Sequence, residues 1–295
     1  MQRNVIQLST TSAGMSLPSK WLKKWELKKG DALNVEENEG ILEIKPVEFK
    51  PSEKMIEIDT RKYQELSGRK ISSLASQGYD EIKVNYDTEK NLKIIKKYLQ
   101  KEVTMMEIVK KEKNYIIIRV ISEINEQELQ NIIRKLVSLI EEDIHKAKEY
   151  IKTYDQSLLD DILDYELIMN KLVITCTRAL NKHSSEDKSY SKYTLIWILE
   201  KLGDDFKFFA QNKFKNIKEE TKELFDRLFD NLMIISELYL NYDGEKAKEF
   251  YKKRKELANI CLKQLEKNKD SLLLHHCMSM NEKGMYILGL IIGSN

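Results

Sequence analysis

Two pairs of polar residues at helical spacing are candidate metal ligands. Glu200 and Asp204 are four residues apart, so on a helix both carboxylates would project from one face. Two like charges at this spacing repel each other, at a cost of roughly 0.2–0.5 kcal/mol. A hard cation between them would reverse that cost, because carboxylates are the ligands such ions prefer. Glu166 and Asn170 repeat the spacing, with an amide oxygen in place of the second carboxylate.

Other readings of such residues remain open. Lys201 lies next to the acidic pair and Lys207 lies three residues beyond it, so the two lysines could balance the acids on an ordinary charged face. The run from His275 to Cys277 resembles a soft-metal cluster in composition only, because adjacent residues on a helix point apart and chelate poorly. We interpret these residues as part of a core or an interface.

The sequence contains none of the common catalytic motifs. There is no Gly-x-x-x-x-Gly-Lys-Ser/Thr, Gly-x-Gly-x-x-Gly, Gly-x-Ser-x-Gly or His-Glu-x-x-His pattern, and only 10 glycines are spread over 295 residues. We therefore expect a protein that is not an enzyme.

A second candidate site is the basic start of the chain. The basic residues up to position 30 are Arg3, Lys20, Lys23, Lys24, Lys28 and Lys29, against one acid, Glu26. Six bases against one acid leave a local charge of +5, whereas the whole chain carries +2. Clustered bases neutralise nucleic-acid phosphates, so the pattern indicates DNA binding through Arg3, Lys20, Lys23, Lys24 and Lys28. A solubilising lysine-rich turn is the alternative.

The elements that would position these bases are short. Alternating segments at 5–8, 32–36 and 41–44 predict strands, and turn residues separate them at Ser16–Ser19, Lys28–Asp31 and Asn38–Gly40. A segment of this size cannot bury a core by itself. A second copy of the same segment is the natural partner, so we expect a homodimer formed through the N-terminal domain.

The order of these turn signals resembles an AbrB/SpoVT-type domain. The resemblance rests on 12–21, on 27–31 and on 40–44, and covers about the first forty-six residues. It implies a β-rich domain of hairpins swapped between two chains that binds DNA.

The middle of the chain alternates between strand and helix patterns. Residues 55–58, 81–84, 106–109 and 115–121 predict strands, and 64–77 and 89–100 predict helices. We infer a small α/β connecting module at 53–122, after a linker between Pro46 and Pro51. It serves either as a spacer or as a ligand-binding module.

The remainder, 123–295, predicts an all-α domain. About six helices in two sets of three are expected, because short joints between long amphipathic helices make antiparallel neighbours. The first begins near 125, and the others span about 156–182, 187–212, 215–241, 245–268 and 271–292.

Residues 198–205 of this domain resemble the acidic motif of PhoU proteins. The family pattern, an acid followed by basic, apolar, Gly and Asp residues, is met by 200–204, and Arg178 follows Glu166 and Asn170 at a family-like distance. The resemblance implies a divalent or ferric ion on the first bundle, held by Glu166, Asn170, Glu200 and Asp204. Asn170 departs from the motif, as does Tyr286 where the second bundle would carry an Asp. We therefore expect the second bundle to be degenerate.

The bulk properties indicate a reduced, cytoplasmic setting. The three cysteines are widely spaced, no signal peptide is apparent, and no apolar run reaches the roughly twenty residues that cross a bilayer. We expect no membrane insertion.

The order of the two resemblances is similar to that of archaeal PhoU-related regulators. It implies a DNA-binding transcriptional regulator of phosphate uptake, with the helical domain as sensor or docking module. One alternative is an adaptor that contacts the ATPase subunit of a phosphate ABC transporter without specific DNA binding. Another is an antitoxin-like repressor, although antitoxins usually carry a short disordered tail in place of a large folded body.

Overall fold

The chain folds into two compact units, Met1–Ser52 and Glu53–Asn295. The computed structural model describes residues 2–38, 40–47, 53–62, 64–183, 189–266 and 271–294. Most of the predicted linker, 48–51, lies outside the described residues, whereas Pro46 ends a strand. Each unit is considered by itself.

The first unit consists of two hairpins and one short helix. Its elements are β1 (Val5–Gln7), β2 (Ala13–Met15), α1 (Ser19–Lys24), β3 (Leu33–Asn38) and β4 (Ile41–Pro46). β1 pairs with β2 and β3 pairs with β4, both antiparallel. The Asp31 carboxylate accepts a hydrogen bond from the Lys28 backbone N–H at 2.7 Å, and Gly30 has a φ of 101°, which favours glycine. The sequence missed β2, because Ala13, Gly14 and Met15 include no β-branched or aromatic residue and do not alternate between apolar and polar.

This unit has no core of its own. Among its described residues only Pro46 is buried. Large apolar side chains that would normally be covered are instead more than half exposed: Val5, Ile6, Leu8, Val35, Ile41 and Leu42. Exposed apolar surface on this scale is typical of an interaction face, because burial of such side chains is the main favourable term in folding.

The second unit begins with an α/β part. Its strands are β5 (Met55–Asp59), β6 (Glu81–Asn85), β7 (Met106–Lys111) and β8 (Tyr115–Val120), and its helices are α2 (Ser67–Ser76) and α3 (Glu89–Glu102). The sheet order is β5-β6-β8-β7, with β5 and β6 parallel and the other pairs antiparallel. Alternate residues of β6 and β8 are buried, so the sheet has one core-facing side and one polar side.

The helical part follows directly. Its helices are α4 (Glu126–Thr153), α5 (Gln156–His183), α6 (Ser189–Asn212), α7 (Glu219–Leu240), α8 (Gly244–Leu265) and α9 (Ser271–Ser294). Helices α4–α6 pack against one another, as do α7–α9, and the two sets share one core through contacts of α4 with α7 and of α6 with α9. Asn125 starts α4 with a capping box in which Glu128 bonds back to the cap.

One expectation about this part needs correction. Helix α7 begins at Glu219 and not near 215, because Lys213 and Asn216 adopt positive φ and break the helical path. The ends of the predicted helices at 187–188 and 267–268 lie outside the described residues.

None of the described helices is both long enough and apolar enough to cross a membrane.

Candidate functional site

Three of the five predicted DNA-binding residues lie together on α1. Lys20, Lys23 and Lys24 are separated by three and four residues, so they share one face of this helix, and all three are exposed. Trp21 and Leu22 are half-buried and form the inner face of this helix. The arrangement presents three ammonium groups to solvent over a single turn.

The other two predicted residues flank this helix in the chain. The Arg3 Nη1 lies 3.5 Å from the Ser16 Oγ, because the β1–β2 ladder brings the start of the chain beside the approach to α1. Lys28 lies in the turn after α1 and is exposed. In the part of the chain that the structure describes, none of the five forms an ion pair with an acid. Their charges are therefore available to an anionic partner.

The four predicted metal ligands meet where α5 and α6 pack. The Lys207 Nζ lies 2.8 Å from Glu166 Oε1 and also bonds Asp204. The Lys201 Nζ lies 2.8 Å from Glu200 Oε2 and 2.9 Å from Asp204 Oδ2. We call these residues, with Asn170, the acid–lysine cluster.

Burial and the lysines act on the cluster in opposite directions. Burial raises the pKa of Glu200 above its ordinary value, and Lys201 only partly offsets this. Burial would also raise the pKa of Asp204, but hydrogen bonds from Lys207 and Lys201 outweigh it and leave that pKa below its ordinary value. Behind Glu166, burial raises the pKa of Asp143 well above its usual range, with the charges of Glu142 and Glu166 adding to the effect.

This arrangement does not fit the predicted metal ion. The lysines occupy carboxylate oxygens of Glu166, Glu200 and Asp204, and the Asn170 amide donates to Glu166 Oε1 at 2.9 Å instead of offering its oxygen. Within the described ranges, no group of three or more His, Cys, Asp or Glu side chains could hold a metal. The geometry is that of a charged face on which two lysines pair with three carboxyl groups, the alternative left open by the sequence.

The corresponding place in the second helical set differs, as its sequence predicted. Glu282 pairs with Arg254, and Tyr286 is 57% exposed. Asp205, next to the acid–lysine cluster, bonds instead to Lys283 at 2.7 Å and to Ser279 at 3.0 Å across the contact of α6 with α9. These acids are also paired with bases: Glu282 with Arg254 and Asp205 with Lys283.

A buried polar contact between α5 and the α/β part was missed by the sequence analysis. Arg178 is 1% exposed and donates to the backbone oxygens of Ala75 and Tyr79 and to the carboxylates of Asp80 and Glu123. The Lys182 Nζ lies 2.6 Å from Asp80 Oδ1 and 2.7 Å from Glu123 Oε1. The sequence analysis noted Arg178 only for its distance from Glu166 and Asn170. The spacing of four between Arg178 and Lys182, which places both bases on one face of α5, was a further signal.

Comparisons with known proteins support the N-terminal assignment. Residues 6–52 match the family model described as "Antidote-toxin recognition MazE, bacterial antitoxin". This confirms the prediction of an N-terminal segment of the MazE/AbrB type. No curated protein matches the chain.

The chain is also similar to a solved structure, that of the phosphate transport system regulatory protein PhoU from Streptococcus pneumoniae. The identity is 17%, the TM-score is 0.46, and the match covers 56% of this chain and 92% of that one.

Proposed function

We propose that this protein is a DNA-binding transcriptional regulator that works as a homodimer and controls phosphate uptake. The observation that carries the proposal is the first unit: a MazE-type segment whose apolar residues lie exposed and whose α1 carries three exposed lysines on one face, none of them in an ion pair among the described residues. A second copy would cover the apolar residues and bring a second α1 into the assembly. Six lysines would then face one DNA duplex.

The phosphate part of the proposal has a separate basis. It is supported by the resemblance of residues 198–205 to the PhoU motif, and the helical part would act as sensor or as docking module for a transporter ATPase subunit. Because the acid–lysine cluster does not fit a metal ion, we assign no metal to the sensing step.

The DNA-binding proposal is tested by fluorescence anisotropy on the protein's own promoter and on scrambled DNA, across a salt series. We expect selective binding with a steep salt slope. If Lys20, Lys23 and Lys24 of both chains each contact a phosphate, changing them to Gln should reduce the slope by up to about 5, at roughly 0.9 per phosphate. The matched control changes three exposed lysines of α8, Lys252, Lys255 and Lys263, to Gln.

Each outcome decides between functions. Equal weak binding to both DNAs, or equal losses in the two triple variants, would reject the regulator and favour the transporter adaptor. The role in phosphate uptake is tested separately. Promoter occupancy and transporter expression should change with phosphate supply. A deletion strain with unchanged transporter expression would contradict this role.

The description of the matching family favours a second candidate, an antitoxin-type repressor. In that case the protein would copurify with a small partner encoded beside it and would relieve that partner's toxicity. Growth of a host that expresses the neighbouring gene alone, compared with growth when both are expressed, tests this directly.

A further inference from the structure

A groove of about 570 Å³ lies in the α/β part, between helix α3 and strand β7. Its volume is within the range of about 300–1,000 Å³ typical of binding sites. The apolar lining includes Leu99, Val103, Met106 and Ile108, and the charged lining is Lys96, Lys111 and Glu107. The groove therefore offers apolar contacts beside two positive charges and one negative charge, in a part of the molecule to which the proposed function gives no role.

One wall of the groove is a sheet edge. Strand β7 is the last in the order β5-β6-β8-β7, and within the described residues it pairs with β8 alone. On its outer side the Met106 N–H already donates to the Val103 oxygen at 3.4 Å, and the outward backbone groups after Met106 can pair with a further strand. A helix beside an unpaired edge strand is the geometry in which extended peptides add to a sheet, with backbone hydrogen bonds giving affinity and the groove selecting side chains.

An irregularity in β7 determines which side chain faces the groove. Ile108 pairs with Ile118, but the register then shifts so that Lys111 pairs with Ile116. Ile116 and Ile118 are both fully buried on the side covered by the helices, so Lys111 lies on the same side as Ile108. A bulge and an inward lysine at a sheet edge disfavour pairing with an ordinary strand. A strand that pairs here would lie beside this ammonium group, which favours a strand with an acidic side chain.

The charges around the groove also favour a negatively charged partner. Residues 89–113 contain eight lysines and four acids, a net charge of +4. Among the described residues Lys96 has no ion pair, and the pair of Lys111 with Glu89 is long, at 3.7 Å, and exposed. Neither lysine is neutralised as Lys201 and Lys207 are, so both can meet carboxylates of a bound peptide.

We propose that this groove binds an extended acidic peptide segment of a partner protein, which adds as a fifth strand to β7. Strand β7 has six residues, which at about 3.3 Å per residue accommodates a segment of roughly six or seven residues. Side chains at alternate positions would enter the groove. Apolar ones would cover Met106 and Ile108, and an acidic one at an end of the segment would meet Lys111.

The probe is a fluorescein-labelled peptide, Glu-Thr-Val-Thr-Val-Thr-Glu, titrated with the full-length protein and followed by fluorescence polarisation. Its symmetric sequence presents the same side chains to the groove in either strand direction. We expect saturable binding, which is lost when alternate backbone nitrogens are methylated, because those nitrogens can no longer donate to β7. A peptide with Lys in place of both Glu residues should not bind.

Matched variants test the location. The Lys96→Glu/Lys111→Glu protein should bind the probe about tenfold more weakly or worse, since two attractive charges beside the acidic peptide become repulsive ones. Lys97→Glu/Lys101→Glu makes the same change in net charge on exposed positions of α3 outside the groove, and should weaken binding by less than about threefold. Circular dichroism confirms that both variants are folded.

Several results would overturn the proposal. They are equal binding of the N-methylated peptide, equal losses in the two double variants, and no saturation below about 1 mM, which is the limit of a specific interaction. A fourth is that duplex DNA, and not the peptide, requires Lys96 and Lys111, in which case the groove lysines belong to a DNA-binding surface. None of these depends on whether α1 binds DNA.

Discussion

Replacing Arg178 with methionine removes the central donor between α5 and the α/β part. Its guanidinium lies 3.2 Å from the Ala75 oxygen, 2.6 Å from the Tyr79 oxygen, 2.5 Å from Asp80 Oδ1 and 3.1 Å from Glu123 Oε1. Methionine fills a similar volume but donates nothing. The variant therefore leaves a buried carboxylate and two carbonyls short of a partner.

The expected loss of stability depends on which cations remain beside Asp80 and Glu123 in the variant. Removal of one member of a buried ion pair costs about 3–5 kcal/mol. Lys182 stays 2.6 Å from Asp80 Oδ1 and 2.7 Å from Glu123 Oε1, so the carboxylates keep one cation and the lower end applies. We expect about 3 kcal/mol, which is roughly a hundredfold in the equilibrium for opening this contact. The loss of stability in Arg178→Lys should be smaller than that in Arg178→Met but not zero, because an ammonium group cannot reach the carbonyls and the carboxylates together.

Amide hydrogen exchange is the suitable assay, because a chain of several parts need not unfold in a single step. Amides of α2 and β6 should exchange about a hundredfold faster in Arg178→Met. The control is Arg61→Met, whose partner Asp59 is 40% exposed, and its effect should stay within about 0.5 kcal/mol. A loss below about 1 kcal/mol at Arg178, or equal losses in the two variants, would refute this account of the contact.

Three further outcomes are expected. If the protein is the proposed homodimer, Val5→Asp should convert it to a monomer in light scattering, because Val5 is 75% exposed in one chain and a charge would block its burial by a second; a dimer that persists would place the interface elsewhere. Glu200→Ala/Asp204→Ala should leave the metal content of purified protein unchanged, because lysines already hold these carboxylates; a drop measured by mass spectrometry would restore the metal site. Burial opposes ionisation of Asp80, but hydrogen bonds from Lys182 and the Lys54 backbone outweigh it and lower its pKa. The ionised Asp80 therefore contributes its full stabilisation above the unfolded pKa of about 3.9, and this stabilisation is lost as the pH falls through the lower folded pKa. Urea unfolding from pH 6 to 2.5 should show this loss of stability in the wild-type protein and a smaller loss in Asp80→Asn.

Local patterns in the sequence were sufficient for most of the elements. The six long helices and the strands of the α/β part follow from apolar periodicity, because burial of one face imposes that period directly on the residues. The N-terminal segment was recognisable from the order of its turns, since each turn requires particular residue types. The basic character of α1 is likewise a local property, and a short helix keeps its lysines on one face whatever surrounds it.

What surrounds a charged residue was decided only by tertiary structure. The spacing of Glu200 and Asp204 is the same whether a metal or a lysine lies between them, and Lys207 reaches Glu166 only because α5 and α6 pack side by side. No residue near Arg178 in the sequence indicates that it pairs with Asp80, which is 98 residues away. The groove beside β7 likewise depends on sheet order and on a register shift. The sequence by itself determines elements, since their signals are local and repeated, whereas pairing between distant charges depends on how those elements pack.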